Sequence, residues 1–264
     1  SNPVSYVGAL DPIRTLFARE PLAKQRGYTA GTFSFNSPKG RCPTCGGSGF
    51  EHVEMQFLSD VYIRCPECGG TRYRPEVLEV SLLPEHSAGT DVSAKSIADI
   101  LDMTVEEACV FFEYEPKVLK KLEPLRSVGL SYVRLGQPLP TLSGGESQRL
   151  KLAGHLSATA SKSTKDAGRV LFLFDEPTTG LHFDDIATLL KAFRRLIEAG
   201  HSLVVIEHNL DILRAADWII DLGPEGGNAG GQLIFEGRPN QIPTAEQSYT
   251  GQALERYIKS SISG

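Results

Sequence analysis

The hydrophobic pattern changes character near residue 170. Beyond that point short apolar runs alternate with amphipathic stretches. Val170–Phe174 is followed by a helical period over Asp185–Ala199, an apolar run over Ser202–Ile206, a second helical stretch over Leu210–Ala216 and a short run over Trp218–Leu222. Apolar runs of this length predict strands, and their alternation with amphipathic helices predicts a layered βα core. The glycine-rich Gly223–Gly231 joins two short strands, and because no helical pattern follows, it reads as a turn rather than a phosphate loop.

Upstream the pattern is less regular. A short helical run near Pro12–Ala18 leads to the turn-rich Asn36–Gly40, and Val53–Ile63 alternates apolar and polar residues as a strand or hairpin does. Ile97–Leu122 carries helical periodicity and predicts two helices broken at Pro116. Ser147–Leu156 predicts a further helix, and residues 81–96 and 158–168 read as exposed loops. The chain shows no internal repeat.

Composition narrows the class. With 264 residues, 41% hydrophobic and 22% charged, the chain has apolar material for one large domain or two smaller ones. No apolar run approaches the roughly 20 residues of a membrane helix. A formal net charge of −5 excludes a uniformly basic nucleic-acid binder, so any DNA contact must come from local patches. Four of the five cysteines fall in two C-x-x-C pairs, Cys42/Cys45 and Cys65/Cys68, with 19 residues between the pairs. In a chain read without an export signal this spacing predicts a four-thiolate structural zinc site over paired disulfides, and a reduced, cytoplasmic protein. Gly46-Gly47 and Gly69-Gly70 supply the tight turns after each pair. Cys109 lies in a helix of mixed character and reads as a buried thiol.

Three further segments carry chemistry. Leu142-Ser-Gly-Gly-Glu-Ser-Gln148 contains an ordinary capping box, Ser143 with Glu146 three residues on. A helix N-terminus with two flanking glycines, Gly144 and Gly145, also offers exposed backbone N–H groups and a positive dipole end to a phosphate. Val170–Phe174 ends in two consecutive carboxylates, Asp175 and Glu176. At a strand's C-terminal edge these suit Mg²⁺ binding, by Asp175, and orientation or deprotonation of an attacking water, by Glu176. His208 ends the next strand, where it suits contact with a γ-phosphate. Together the three predict an ABC-type ATPase. The matching phosphate loop, G-x-x-x-x-G-K-[ST], is absent from these 264 residues, since no Gly-Lys pair occurs.

With these motifs in hand, the chain resembles the C-terminal half of UvrA proteins, the damage-sensing ATPases of bacterial nucleotide excision repair. The likeness runs through Phe33–Asn36, both cysteine knuckles, Leu101–Ala108, Leu135–Pro138, the signature, Asp175–His182 and Ile219–Gly227. It implies an α/β fold: an ABC-type ATPase core, partial and without its P-loop, with a helical signature subdomain and an inserted zinc-binding β-hairpin module. The implied domains are 1–157, with the zinc module at about 36–76, and 158–264, holding Walker B, the D-loop and the switch histidine. It further implies that ATP and Mg²⁺ are used in the complete protein, with Ser143, Gly144 and Gly145 serving a nucleotide on another module's P-loop. Asp175, Glu176 and His208 serve this module's own P-loop, expected upstream of Ser1. The implied partners are damaged double-stranded DNA, a UvrB-type protein and a second copy in a homodimer, with no membrane. Two alternatives remain open. The loops at 81–96 and 158–168 leave room for a UvrA-like paralogue with another duty, such as resistance to DNA-binding drugs. Cys42-Pro-Thr-Cys-Gly-Gly-Ser-Gly49 also fits the C-x-x-C-x-G-x-G pattern of zinc-dependent, polypeptide-binding co-chaperones, although Arg72 replaces the last glycine of the second repeat.

Overall fold

A computed structural model describes residues 2–53, 61–83, 93–159, 168–223 and 230–262. The chain divides into two compact units. One comprises Ser1–Arg126, Leu130–Leu142 and Leu150–Ser161; the other comprises Ser127–Gly129, Ser143–Arg149 and Lys162–Gly264.

The first unit opens with three short helices, α1 (Pro3–Tyr6), α2 (Leu10–Phe17) and α3 (Pro21–Gln25), of which α1 and α3 start on a proline whose missing N–H costs a helix nothing at that position. Strands β1 (Phe50–Val53) and β2 (Val61–Arg64) pair antiparallel from Phe50↔Arg64 to Val53↔Val61, so the expected hairpin is present; its tip, including Phe57, lies outside the described residues. After α4 (Pro75–Leu78), strands β3 (Ser81–Leu82) and β4 (Lys95–Ser96) pair antiparallel. The expectation of a loop throughout 81–96 is therefore corrected at both ends: two-residue strands are too short to leave a periodic signal. Residues 84–92 lie outside the described set.

The helical stretch from Ile97 is also corrected. It holds three helices, α5 (Ile97–Asp102), α6 (Val105–Phe111) and α7 (Pro116–Arg126). Pro116 does open a new helix, but the additional break falls at Met103-Thr104. There the Thr104 hydroxyl accepts the Glu107 N–H and the Glu107 carboxylate accepts the Thr104 N–H, a reciprocal cap that starts α6. Ser96 and Asp99 do the same for α5. Phe17, Phe33, Ile97, Ile100, Leu122 and Leu125 are buried at the centre of this unit, the Phe17 and Phe33 rings 5.2 Å apart. Helix α8 (Gly144–Thr159) starts earlier and ends later than its sequence pattern suggests; residues 160–167 of the following predicted loop are outside the described set.

In the second unit, β5 (Leu171–Asp175) and β6 (Ser202–Ile206) run parallel, in register from Leu171↔Ser202 to Asp175↔Ile206. Helix α9 (Phe183–Glu198) makes the crossover a parallel pair requires, and its Phe193 ring lies 5.1 Å from Phe174. Among the described residues the sheet is covered on that face alone. Leu171, Leu173, Val204 and Ile206, on the opposite face, are 60, 71, 51 and 63% exposed. One face of the pair thus has no covering layer among the described residues. Beyond β6 come α10 (Leu210–Ala215), β7 (Ile219–Gly223), β8 (Gln232–Gly237) and α11 (Tyr249–Ile262), with β7 and β8 antiparallel around a bulge at Asp221/Leu222. Ile219, Ile242 and Leu254 form their buried centre.

Candidate functional site

The parallel register fixes the first constellation. Asp175 and Ile206 are partners at the C-terminal ends of β5 and β6, so the residues that follow each strand emerge side by side. Glu176 N–H donates to the Ile206 carbonyl at 2.9 Å, and its φ of 46° places it in the left-handed region, costly for a residue with a Cβ. His208 lies two residues beyond β6, and its Nδ1 is 3.8 Å from Glu176 Oε1. Both side chains are open to solvent, 81% and 54% exposed for His208 and Glu176. Asp175, Glu176 and His208 are therefore brought to one edge, as their spacing suggested.

The start of α8 belongs to the same unit. Ser143 N–H donates to Glu146 Oε2 at 2.7 Å, and Glu146 N–H donates to Ser143 Oγ at 3.2 Å, completing the capping box. A Cβ on Gly144 would meet open space, whereas one on Gly145 would come within 3.2 Å of the Thr179 carbonyl. Among the described residues, Ser143 and Gly144 have no hydrogen bond to Asp175, Glu176 or His208. The link to the carboxylate edge runs through Gln148, the last residue of the signature, and Arg149, just beyond it. The Gln148 amide donates to the Asp175 carbonyl at 2.8 Å and accepts the Asp175 N–H at 3.1 Å, as a neighbouring strand would. Arg149, fully buried, donates to the Pro177 carbonyl at 2.7 Å.

The second constellation is the cysteine cluster. The sulfurs of Cys42, Cys45, Cys65 and Cys68 all lie within 4.8 Å of one another, with Cys42···Cys65 at 4.0 Å and Cys45···Cys68 at 3.7 Å. All four are free thiols, far beyond the ~2.05 Å of a disulfide. Four thiolates around zinc at about 2.3 Å stand roughly 3.8 Å apart, so the cluster fits that ion and leaves no ligand position for chemistry. Burial pushes the Cys45 thiol up, but N–H groups of Gly49 and Gly47 and the thiols of Cys68 and Cys42 outweigh it and bring Cys45 down to about 7. At Cys68 burial prevails and the thiol is pushed up to about 11. Cys45 is thus the more readily ionised of these two thiols, and Cys68 the one whose ionisation a bound cation would have to favour.

The two knuckles are built alike down to one departure. Gly49 ends the first with φ 79°, and Arg72, at the corresponding place in the second, takes φ 76°. The backbone demands the left-handed region at both, and only the first repeat supplies a glycine. Arg72 is 9% exposed, its guanidinium donates to the Gly136 carbonyl at 2.7 Å and sits 5.3 Å from the centre of the Phe35 ring. Burial lowers its pKa, and the nearby Tyr73, Cys45 and Cys68 act in the opposite sense. Among the described residues no carboxylate pairs with it.

No family model matches the chain. It is 51% identical over 259 residues to UvrABC system protein A of Aquifex aeolicus, a match that covers 98% of this chain and 26% of that protein. It is 52% identical over 256 residues to the protein of the same name from Thermus thermophilus, covering 97% and 25%. The chain therefore spans about a quarter of the length of these relatives. A solved structure, UvrA2 from Deinococcus radiodurans, matches with a TM-score of 0.79 at 44% identity, over 97% of this chain and 29% of that one.

Proposed function

Because the chain belongs to the UvrA family, as a segment about a quarter of its members' length, we propose that it is part of an ABC-type ATPase of nucleotide excision repair. In this reading the complete protein recognises damaged double-stranded DNA as a homodimer and loads a UvrB-type partner in the cytoplasm. The observation that carries the proposal is the meeting of Glu176 and His208, 3.8 Å apart at the ends of adjacent parallel strands. Bound ATP and Mg²⁺ would supply the scissile phosphate and charge neutralisation. Asp175 would hold the ion, through water. Glu176 would orient and deprotonate the attacking water, and His208 would donate a hydrogen bond toward the phosphoryl oxygens. Ser143, Gly144 and Gly145 would present the N-terminus of α8 to a nucleotide seated on another module.

The P-loop would come from sequence outside this chain, and the exposed apolar face of β5 and β6 is where the rest of that core would pack. The four cysteines would hold zinc as a structural clamp on the β1–β2 hairpin. Among the described residues no helix is long and apolar enough to cross a membrane. The test is Glu176→Gln in the full-length protein with the other module inactivated. Turnover is expected to fall by about 10²–10⁴-fold with ATP still bound. Hydrolysis at the parental rate removes Glu176 from this role.

A further inference from the structure

Glu207, between the last residue of β6 and His208, uses its whole carboxylate on backbone and hydroxyl donors from two different loops. Its Oε1 accepts the Thr178 N–H at 2.9 Å and also the Thr178 hydroxyl. Its Oε2 accepts the N–H of His208 at 3.0 Å and of Asn209 at 3.2 Å. Asn209 in turn caps α10, its Oδ1 accepting the N–H groups of Asp211 and Ile212. A carboxylate has about four lone-pair sites, and here four donors fill them.

We infer that Glu207 is a positioning residue that clips the loop bearing His208 to the loop bearing Glu176, and so sets the distance between them. The inference rests on the ATPase reading above for its functional consequence and on geometry alone for the clip. Two ties join these loops. Glu176 N–H to Ile206 O is backbone and survives any substitution; Glu207 to Thr178 is side chain and does not. Between them lies Glu176 with its left-handed φ of 46°, a conformation that the surrounding bonds must enforce. The turn is closed further by Thr179 N–H to Glu176 O at 3.1 Å and Leu181 N–H to Thr178 O at 3.0 Å. Thr178 is thus the point where one turn is anchored, and Glu207 is its anchor.

The chemistry demands a carboxylate. In a glutamine one end of the amide is itself a donor; whichever side it faces, at least one backbone N–H (Thr178, or His208 and Asn209) loses its acceptor, so the bridge opens and both loops are loosened. Neither Glu207 nor Thr178 needs to touch nucleotide for this, so the expected signature is a change in rate with little change in ATP affinity.

The test compares the full-length protein with E207Q, with Thr178→Val, which removes one donor and keeps the side-chain shape, and with the exposed helix α9 control Glu198→Gln. Hydrogen exchange is followed in peptides covering residues 176–182 and 206–212, alongside ATP hydrolysis over a range of ATP concentrations. Expected for E207Q is exchange about tenfold faster in both peptides, corresponding to loss of one or two hydrogen bonds. Its kcat should fall by about 10–100-fold, the scale of an ångström-sized misplacement, with KM for ATP within about threefold. T178V should move both readouts the same way by less, and E198Q neither. Parental exchange in either peptide, or a rise in KM at unchanged kcat, overturns the inference. A parent protein that hydrolyses no ATP refutes the ATPase reading instead; exchange then decides the clip alone, acceleration in both peptides supporting it and its absence overturning it.

Discussion

The cysteine cluster and the carboxylate edge place reactive side chains by opposite means. The cluster is drawn from residues 42–72: four sulfurs and the turns that aim them all come from one short stretch. The edge assembles Asp175, Glu176 and His208 from two strands, borrows Gln148 and Arg149 from a helix, and sits on a sheet with one apolar face exposed. A self-contained site can be held by a single ligand, whereas the assembled edge is held by side-chain hydrogen bonds to its backbone from Gln148 and Arg149.

That contrast is broken most severely at the proposed zinc. Structural zinc sites contribute apparent free energies of about 10–16 kcal/mol at neutral pH. Zinc content is expected near one ion per chain, and Cys65→Ser should abolish it and unfold the knuckles. The melting of the second unit should stay in place, since none of its residues is a ligand. Loss of both units together in differential scanning calorimetry would contradict the separation.

The corresponding blow to the edge is Arg149→Met. It keeps the apolar bulk but strips the donor from the Pro177 carbonyl, and about 2–4 kcal/mol should be lost in urea unfolding. A loss below about 0.5 kcal/mol would show that this buried cation does not hold the turn.

Smaller effects separate two of the three glycines of the first knuckle, Gly46 and Gly49. Gly46 has φ 60° and open space where a methyl would stand, whereas at Gly49 an added methyl would lie 2.8 Å from the Gly70 carbonyl and 3.0 Å from Arg72 Cγ. Gly46→Ala should cost about 1 kcal/mol for its backbone conformation. Gly49→Ala should cost more and weaken zinc retention against a chelator. Equal effects would show that the second knuckle does not pack on the first at this point.

The mildest expectation concerns pH. Burial pushes the Cys109 thiol up to about 11 from an ordinary 9. The folded state then holds its proton where the unfolded state has released it, so the stability from Cys109 is full below pH 9 and is lost as pH rises toward 11. Cys109→Ala should flatten the fall in melting temperature over that window; an unchanged slope would show that Cys109 does not titrate with folding.

Legibility in the sequence follows the same divide. Cysteine spacing exposed the cluster because its ligands are local, and the apolar runs of β5 and β6 marked their position because parallel register is carried by contiguous strands. Gln148, Arg149 and Glu207 escaped because their hydrogen bonds span 27 to 29 residues and have no periodic signature. Arg72 had a usable signal, since it stands where the repeat has Gly49. So did the break between α5 and α6, where Thr104 and Glu107 form a legible capping box within an otherwise continuous helical pattern.

On the proposed reading the chain carries one complete site and part of another. Zinc content and ATP binding, measured on one sample of the isolated chain by metal analysis and calorimetry, decide between that picture and its rivals. One zinc per chain and no ATP binding at millimolar nucleotide are expected, because these 264 residues hold no G-x-x-x-x-G-K-[ST] loop to cradle phosphates. Tight ATP binding by this chain alone, or a folded chain without zinc, would contradict it.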